Sequence, residues 1–247
     1  MMRLLVSSDT YKQKTEVSPT KLEKDPENRF YARGPRFRLD AEMIRDQALA
    51  VSGLLYEKIG GPSVKPPQPD GLWNAVAYTD SNTARFVSDT GKEKVHRRSL
   101  YTFWKRTAPP PQMAIMDAPS REVCTVRRER TNTPLQALML MNDPQFVEAA
   151  RAFAKRVIKE GGTTIQEKLI FAFELATARL PDTEELAILE ENLQKHLHQF
   201  ESDSDAGMKL IKISESEVDD SIEVVELAAW TMIANLILNL DEVLTKG

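Results

Sequence analysis

Helix start and stop signals recur at short intervals through the second half of this chain. Thr133-Pro134 and Asp143-Pro144 each pair a capping side chain with a proline that fits the first helical turn, and Gly161-Gly162 provides a stop. With the later signals, they predict helices over residues 134–142, 144–160, 165–179, 183–200 and 222–245, and an acidic loop over residues 201–207. Helices joined by loops this short favour an antiparallel bundle, which we predict for residues 131–247.

The first half of the chain is broken by proline and glycine. Four of the eight residues from 62 to 69 are prolines, which excludes a helix there. One long helix is predicted from Asp40 to the stop at Gly60, because apolar residues recur between them at helical spacing. The prediction is a mainly α protein in which an irregular, proline-rich half (residues 1–130) packs on the bundle half, within a single domain spanning residues 1–247.

Composition excludes several classes of protein. The 247 residues are 41% hydrophobic and 28% charged, which is typical of a globular domain. A net charge of −4 argues against a dedicated nucleic-acid binder, and a single cysteine excludes an internal disulfide framework. No signal peptide is expected, since the first apolar run has three residues, and the apolar stretch over residues 227–240 is too short to span a membrane.

Charge is distributed unevenly along the chain. Residues 85–130 contain 11 basic and 5 acidic side chains, whereas residues 182–226 contain 3 basic and 14 acidic ones. The two blocks could pack on each other, meet different partners, or simply form two solvated faces.

The densest polar motif, REVCTVRRERTNTP, stands directly before the helix that starts at Thr133. Guanidinium groups and the free amides of a helix start both favour anions, so the motif is a candidate anion site. Its candidate residues are Arg127, Arg128, Arg130, Asn132 and Thr133. The alternative is an internal ion-pair network in which the partners of the arginines are Asp117, Glu122 and Glu129.

A second motif, HRRSLYTFWKRTAPPPQM, interleaves aromatic and basic side chains. Such a segment can stack on sugars or bases and hold anionic groups, or it can be a core segment whose aromatic rings are buried. The candidate ligand-binding residues are Arg98, Tyr101, Trp104, Lys105 and Arg106.

No pattern of metal ligands or catalytic groups stands out. His196 and His198 are two residues apart on a predicted helix and cannot chelate one ion, so no metal site is predicted. Cys124 lies between valines and is expected to be a buried thiol. The carboxylates in the loop-rich half, Asp80 and Asp89 among them, have no spacing that distinguishes a catalytic pair, and no nucleotide-binding or hydrolase motif occurs.

Four long segments together resemble one protein family. They are GGPSVKPPQPDGLW, RRSLYTFWKRTAPPPQM, DAPSREVCTVRRERTNTPLQALMLMNDPQFVEAAR and ANLILNLDE. The chain is similar, over essentially its whole length, to the planctomycete domain of unknown function found at the C-terminal end of large secreted proteins.

The resemblance implies a multidomain setting. Proteins of that family begin with a signal peptide and a cytochrome c-like domain, followed by a second uncharacterised domain. It implies that the chain is the terminal portion of a periplasmic or extracellular protein whose upstream domains are its partners, and that any haem lies in those domains and not in this chain. The family carries no established activity. The leading hypothesis is therefore a structural or interaction module, and the alternative is an enzyme or ligand-binding domain for an anionic or carbohydrate-like substrate.

Overall fold

The computed structural model describes residues 1–76, 84–214, 219 and 221–246, so Asp80 lies outside the described residues. Two compact units emerge from the packing of the backbone: residues 1–39 with 241–247, and residues 40–240. Each unit is described by itself below, and the single-domain organisation stays a prediction.

The described chain is mainly α-helical, which confirms the predicted fold class. In chain order, its α-helices are α1 (Met2–Val6), α2 (Pro19–Lys24), α3 (Ala41–Val51), α4 (Lys92–Val95), α5 (Pro111–Ile115), α6 (Pro134–Asn142), α7 (Pro144–Glu160), α8 (Ile165–Thr177), α9 (Thr183–Ser202), α10 (Ser204–Ile211), α11 (Val224–Leu238) and α12 (Asp241–Leu244). Two strands, β1 (Phe37–Arg38) and β2 (Thr245–Lys246), pair in antiparallel fashion with Phe37 opposite Lys246. Single 3-10 turns occur at Asn74–Val76 and Ser99–Tyr101.

The small unit is held together by polar contacts as well as by its two-stranded sheet. The carboxylate of Asp25 accepts hydrogen bonds from the amides of Arg29 and Phe30 at 2.8 and 2.9 Å. The amine of Lys246 lies 4.6 Å from the ring centre of Tyr11, where a cation is attracted to the aromatic face. None of the described helices in either unit is long and apolar enough to cross a membrane.

The core of the large unit lies between α7 and α11. The apolar stripe predicted for α7 is confirmed, because Phe146, Ala150, Phe153 and Val157 are all buried. Helix α11 is apolar on every side and packs on α7, α8, α9 and α10. An all-round apolar helix of this kind is stable only when it is enclosed by its neighbours.

The predicted long helix after Asp40 is too long by eight residues. Helix α3 ends at Val51 because Gly53, with a φ of +77°, adopts the left-handed conformation of a C-terminal cap. The amides of Gly53 and Leu54 donate to Ala50 and Leu49 and so satisfy the last carbonyls of the helix. In the sequence, Gly53 is the residue that marks the end of this helix. The apolar residues beyond it keep the helical spacing without forming a buried face, since Ile59 is 89% exposed.

Three boundaries in the second half also differ from the prediction. The expected acidic loop over residues 201–207 instead contains the end of α9 and the first half of α10, because the Asp203 side chain accepts a hydrogen bond from the Ala206 amide and begins a new helix. Helix α8 ends at Thr177, where Ala178 is left-handed, and α11 ends at Leu238. The other predicted bundle helices agree with the structure to within two residues.

Candidate functional site

The arginine-rich motif forms a surface loop that is closed at its base. We call residues 118–130 the arginine loop. Just outside its two ends, the Asp117 carboxylate accepts hydrogen bonds from the Thr131 amide at 2.7 Å and from the Thr131 hydroxyl at 2.8 and 2.9 Å. Gln136 on α6 also donates to Asp117 at 3.2 Å. Surface loops with joined ends of this kind often carry function.

Ion pairs attach the two flanks of the arginine loop to the start of α3. Arg128 donates to both carboxylate oxygens of Glu42, at 2.6 and 3.1 Å, and lies 3.6 Å from Asp40. Arg130 lies 3.4 Å from Asp40, and Arg121 lies 3.9 Å from Glu42. The paired-fork geometry of Arg128 fixes its orientation as well as its position.

These contacts correct the predicted partners of the arginines. The ion-pair alternative named Asp117, Glu122 and Glu129 as partners, but the carboxylates that pair with the arginines, Asp40 and Glu42, lie at the start of α3. Asp40 begins α3 without a side-chain cap, because its carboxylate faces the arginines instead. Asp117 instead accepts hydrogen bonds from Thr131 and Gln136 at the base of the loop.

The tip of the arginine loop, residues 122–127, is fully open to solvent. Val123 is 74% exposed, Val126 is completely exposed, and Cys124 is exposed, so the expectation of a buried thiol is wrong. The neighbouring valines are themselves exposed and do not enclose the thiol. Within the described residues, Arg127 makes no ion pair and the amides of 123–127 make no hydrogen bond.

The helix start next to the loop is less available to an anion than its sequence indicates. The Thr133 amide donates to the Gln136 side chain at 3.0 Å, and Pro134 has no amide hydrogen to offer. Asn132 is exposed beside this turn. Arg127, Arg128 and Arg130 nevertheless line one surface concavity of about 540 Å³ together with Asp40. Whether this group binds a ligand stays a prediction.

The structure spreads the second motif over several local contacts. Tyr101 accepts a hydrogen bond from the Gly60 amide at 2.7 Å, and Trp104 donates to the Ser120 carbonyl at 2.9 Å. Lys105 lies 4.7 Å from the ring centre of Trp73. Arg98 is exposed and lies 3.8 Å from Glu57. Arg106 is exposed, and the contacts of the other four candidates go to four different residues.

Trp104 connects this motif to the arginine loop. Its ring centre lies 4.4 Å from the guanidinium carbon of Arg121, and its indole nitrogen donates a hydrogen bond to the carbonyl of the neighbouring residue, Ser120. The first turn of the loop is therefore fixed by an aromatic contact, in addition to the ion pairs on both flanks of the tip.

Two arginines that the sequence analysis did not single out serve as the internal connectors. Arg45 is buried, and its guanidinium donates to Gln145, Ser99 and the carbonyls of Arg97 and Val95 at 2.7 to 3.2 Å. Burial lowers the pKa of Arg45 to about 10, an effect that nearby carboxylates partly offset. A sequence signal existed, since residue 45 falls on the same helical face as Ile44 and Ala48.

Arg97 ties the proline-rich segment to the same region. It donates to the carbonyls of Lys58, Gly60 and Pro62 at 2.6 to 3.0 Å, while its guanidinium stacks 3.8 Å from the ring centre of Tyr101. An irregular backbone needs partners for its carbonyls, and one buried side chain supplies three of them.

A separate cavity contains a buried histidine and glutamate. Its volume is about 520 Å³, and its wall includes His96, Glu148, Lys92 and Ser214. The Nε2 atom of His96 lies 3.2 Å from a carboxylate oxygen of Glu148, and both side chains are only 7% exposed. Neither ring nitrogen of His96 has an aligned hydrogen-bond partner among the described residues.

Two arginines, Arg45 and Arg151, interact electrostatically with Glu148. Gln145, Glu148 and Arg151 follow one another at three-residue spacing on one buried face of α7. Burial lowers the pKa of the Arg151 guanidinium, and the negative charge of Glu148 partly restores it. Glu148 also favours the charged form of Arg45. The pair sits in a polar cluster whose charges offset one another.

No group of three or more histidine, cysteine, aspartate or glutamate side chains gathers around one point in the part of the chain that the structure describes. The His96–Glu148 pair supplies two ligands, whereas zinc sites use three or four.

Fold and surface together define a mainly α-helical protein with a pinned basic loop and a separate enclosed histidine–glutamate pair. Residues 1–193 match the model of PSD1, a protein family of unknown function (DUF1553), and the chain belongs to that family. No curated protein and no solved structure matches the chain.

Proposed function

We propose that this chain is a helical interaction module whose arginine loop docks on the upstream domains of the longer, exported protein that the resemblance implies. One observation carries the proposal: the base and flanks of the loop are fixed, while its tip exposes two valines and an arginine. Under this proposal, any haem belongs to the upstream domains.

The fixed loop base lowers the cost of docking. A loop that is already held in one conformation loses little freedom when a partner binds, so more of the contact energy appears as affinity. Arg128 and the Asp117–Thr131 contacts provide that fixation. A free loop of 13 residues would have to be ordered by the partner itself.

The exposed side chains indicate the chemistry of the partner surface. Burying a valine contributes about 1.5 to 3 kcal/mol, so the two valines at the tip fit an apolar depression. Arg127 fits a carboxylate at the rim of that depression, because guanidinium and carboxylate form paired hydrogen bonds. Helix α6, which follows the loop directly, adds exposed apolar side chains at three-residue spacing: Leu135, Leu138 and Met141.

A second candidate function is the binding of an anionic or carbohydrate-like ligand by the same arginines. The concavity that Arg127, Arg128 and Arg130 line favours it. The carboxylates of Asp40 and Glu42 weaken it, since they already pair with Arg128 and leave Arg127 as the main uncompensated charge. Docking on a partner uses the exposed valines as well, and it therefore accounts for more of the loop.

Binding to the separately expressed upstream region of the parent protein tests the proposal. Isothermal titration calorimetry should give saturable binding at tens of micromolar or tighter. The double variant Val126→Asp/Arg127→Glu should weaken that binding about tenfold or more, because it removes an apolar anchor and reverses a charge.

A matched control distinguishes the loop from the general surface. Arg85 and Val87 are also exposed, and the variant Arg85→Glu/Val87→Asp makes the same changes elsewhere. It should bind like the unaltered chain. Absence of binding by the unaltered chain would contradict the proposal, as would equal weakening by both variants. Binding of sulfate alone, lost in the loop variant, would favour the second candidate instead.

A further inference from the structure

The small unit exposes many apolar side chains and encloses few residues. Among residues 1–39, only Asp25 and Gly34 are buried. Phe30 is 82% exposed, and the adjacent Tyr31 is 68% exposed. Helix α1 buries no residue, and its exposed apolar side chains are Met2, Leu4, Leu5 and Val6. Apolar surface that a unit does not use for its own core marks a place where another surface meets it.

A network of hydrogen bonds holds the two aromatic residues in place. We call residues 25–33 the aromatic loop. The Asp25 carboxylate accepts a hydrogen bond from the Phe30 amide at 2.9 Å, and the Arg33 guanidinium donates to the Asp25 carbonyl at 2.9 Å. The Asn28 side chain donates to the Arg33 carbonyl at 2.7 Å and accepts from the Arg33 amide at 3.3 Å. The polar groups of the loop thus bind one another, while both aromatic side chains stay exposed.

The backbone of the aromatic loop has an unusual conformation at Tyr31. Its φ is +53°, in the left-handed region that a bulky residue seldom occupies, and its amide donates to the Asn28 carbonyl at 3.3 Å. Such conformations persist only where the surrounding contacts impose them, and they concentrate at functional sites. Because the loop is already ordered, a surface that receives the two rings need not order it first.

Positive charge accompanies the exposed rings. The small unit contains 10 basic and 7 acidic side chains, whereas residues 40–240 contain 23 basic and 30 acidic ones. Net positive charge is therefore confined to the unit that carries the aromatic loop. Exposed Lys24 and Arg29 lie within six residues of Phe30 in the chain, and the only exposed acidic residue between them is Glu27. A surface that complements this unit is anionic as well as apolar.

An anionic lipid bilayer combines these two properties. Aromatic side chains favour the boundary between headgroups and acyl chains, where a tyrosine hydroxyl can stay in water, and basic side chains are attracted to the lipid phosphates. The exposed apolar residues are divided between α1 and the aromatic loop. A deformable lipid surface accepts such residues without a fitted depression for each, which a protein partner would have to supply.

We propose that the aromatic loop is a peripheral membrane-binding site, in which the rings of Phe30 and Tyr31 insert between the headgroups of an anionic phospholipid bilayer. Lys24 and Arg29 contact the lipid phosphates. Binding is reversible, because its strength comes from a small inserted apolar area and a few charges. The site lies in the small unit, needs no membrane-spanning helix and does not depend on the docking function of the arginine loop.

Co-sedimentation of the intact chain with large vesicles tests the site. One set of vesicles is phosphatidylcholine alone, and the other contains about a quarter phosphatidylglycerol, both at about 0.1 M salt. The chain should bind the anionic vesicles saturably and the neutral ones about fivefold or more weakly. Raising the salt to about 0.5 M should release it from the anionic vesicles, because salt screens the attraction.

A pair of matched variants distinguishes the aromatic loop from the general surface. Phe30→Ala/Tyr31→Ala should bind the anionic vesicles about tenfold or more weakly, because both inserted rings are lost. Ile59→Ala/Leu100→Ala removes two apolar side chains that are exposed on the large unit, and it should bind like the unaltered chain. Circular dichroism verifies that the variants are folded. If the double variant of the loop is not, Phe30→Ala alone should still weaken binding about threefold.

Three results would overturn the proposal. They are the absence of binding to anionic vesicles by the unaltered chain, equal binding to neutral and anionic vesicles, and equal weakening by the loop variant and the control variant. A loop variant that kept its vesicle binding but lost its binding to the upstream region would also overturn it, and would identify the two rings as a protein contact.

Discussion

At the scale of single residues, the charged side chains divide into two groups with different roles. Arg45 and Arg97 are buried and connect the irregular segments to the helices, while the arginines of the loop remain partly exposed and pair with Asp40 and Glu42. The same guanidinium group thus serves as an internal connector in one place and as a pin for a surface loop in another. Replacing a buried arginine should therefore destabilise the fold more than replacing a partly exposed one.

Replacing Arg45 should destabilise the fold strongly. Arg45→Met keeps much of the length but leaves the Gln145 side chain and two buried carbonyls without their donor, so we expect a loss of about 3 to 5 kcal/mol. Urea unfolding measures the loss. Arg106→Met, at an exposed position, should change stability by less than about 0.5 kcal/mol. Equal midpoints for the two variants would refute the connecting role.

The pairing of Glu42 predicts a pH dependence. Burial raises the pKa of the Glu42 carboxyl, but the hydrogen bond and charge of Arg128, with help from Arg121, outweigh it and hold the pKa below its usual value. A lowered pKa stabilises the folded state above about pH 4.3, and that contribution disappears as the pH falls further. The melting temperature of Arg128→Gln should therefore lie below that of the unaltered chain at pH 7, and the gap should narrow towards pH 3. A gap independent of pH would count against the pair.

At the scale of elements, helix α11 is the centre of the large unit. It contacts α7, α8, α9 and α10, and Trp230 is one of its buried side chains. Trp230→Ala should cost about 3 to 5 kcal/mol, because the removed ring leaves a cavity that the surrounding helices cannot fill. Thermal unfolding measures it. Phe30 is 82% exposed, and Phe30→Ala should leave the midpoint nearly unchanged; a similar midpoint for Trp230→Ala would contradict the packing described.

The end of α3 gives a second prediction at the scale of elements, in which the expected loss of stability is smaller. Gly53 has a φ of +77° with open space around its Cα, so Gly53→Ala meets no clash and pays only for the left-handed backbone. We expect a loss of about 1 to 2 kcal/mol. Chemical unfolding measures it, and a stability unchanged or increased by the substitution would show that the helix does not end there.

Local signals predicted the elements well, and non-local contacts limited the rest. Caps such as Thr133, Asp143 and Asp182 mark helix starts because the side chain and the amides it binds are neighbours in the chain. The carboxylates that pair with Arg128 are 86 or more positions away, and Glu148 is 52 positions from His96. Sequence spacing contains no record of such pairs, so the motif was found but its partners were not.

At the scale of the whole molecule, both charged blocks of the chain form ion pairs with oppositely charged residues close to them in the structure. The acidic block places Asp219 beside Lys155 and Lys159, and Glu185 beside Arg179. The basic block pairs Arg128 with the start of α3. Each block thus forms its ion pairs with residues that lie outside the other block. The tip of the arginine loop keeps a charge at Arg127 that has no ion-pair partner among the described residues, and it exposes Val123 and Val126.

Hydrogen–deuterium exchange of the arginine loop, in the free chain and with the upstream region bound, tests the central claim most directly. The amides of residues 123–127 make no hydrogen bonds within the described chain, so they should exchange fast in the free protein and about tenfold or more slowly in the complex. Residues 84–91 should exchange alike in both states. Slow exchange of the tip in the free chain, or exchange that binding leaves unchanged, would contradict the account.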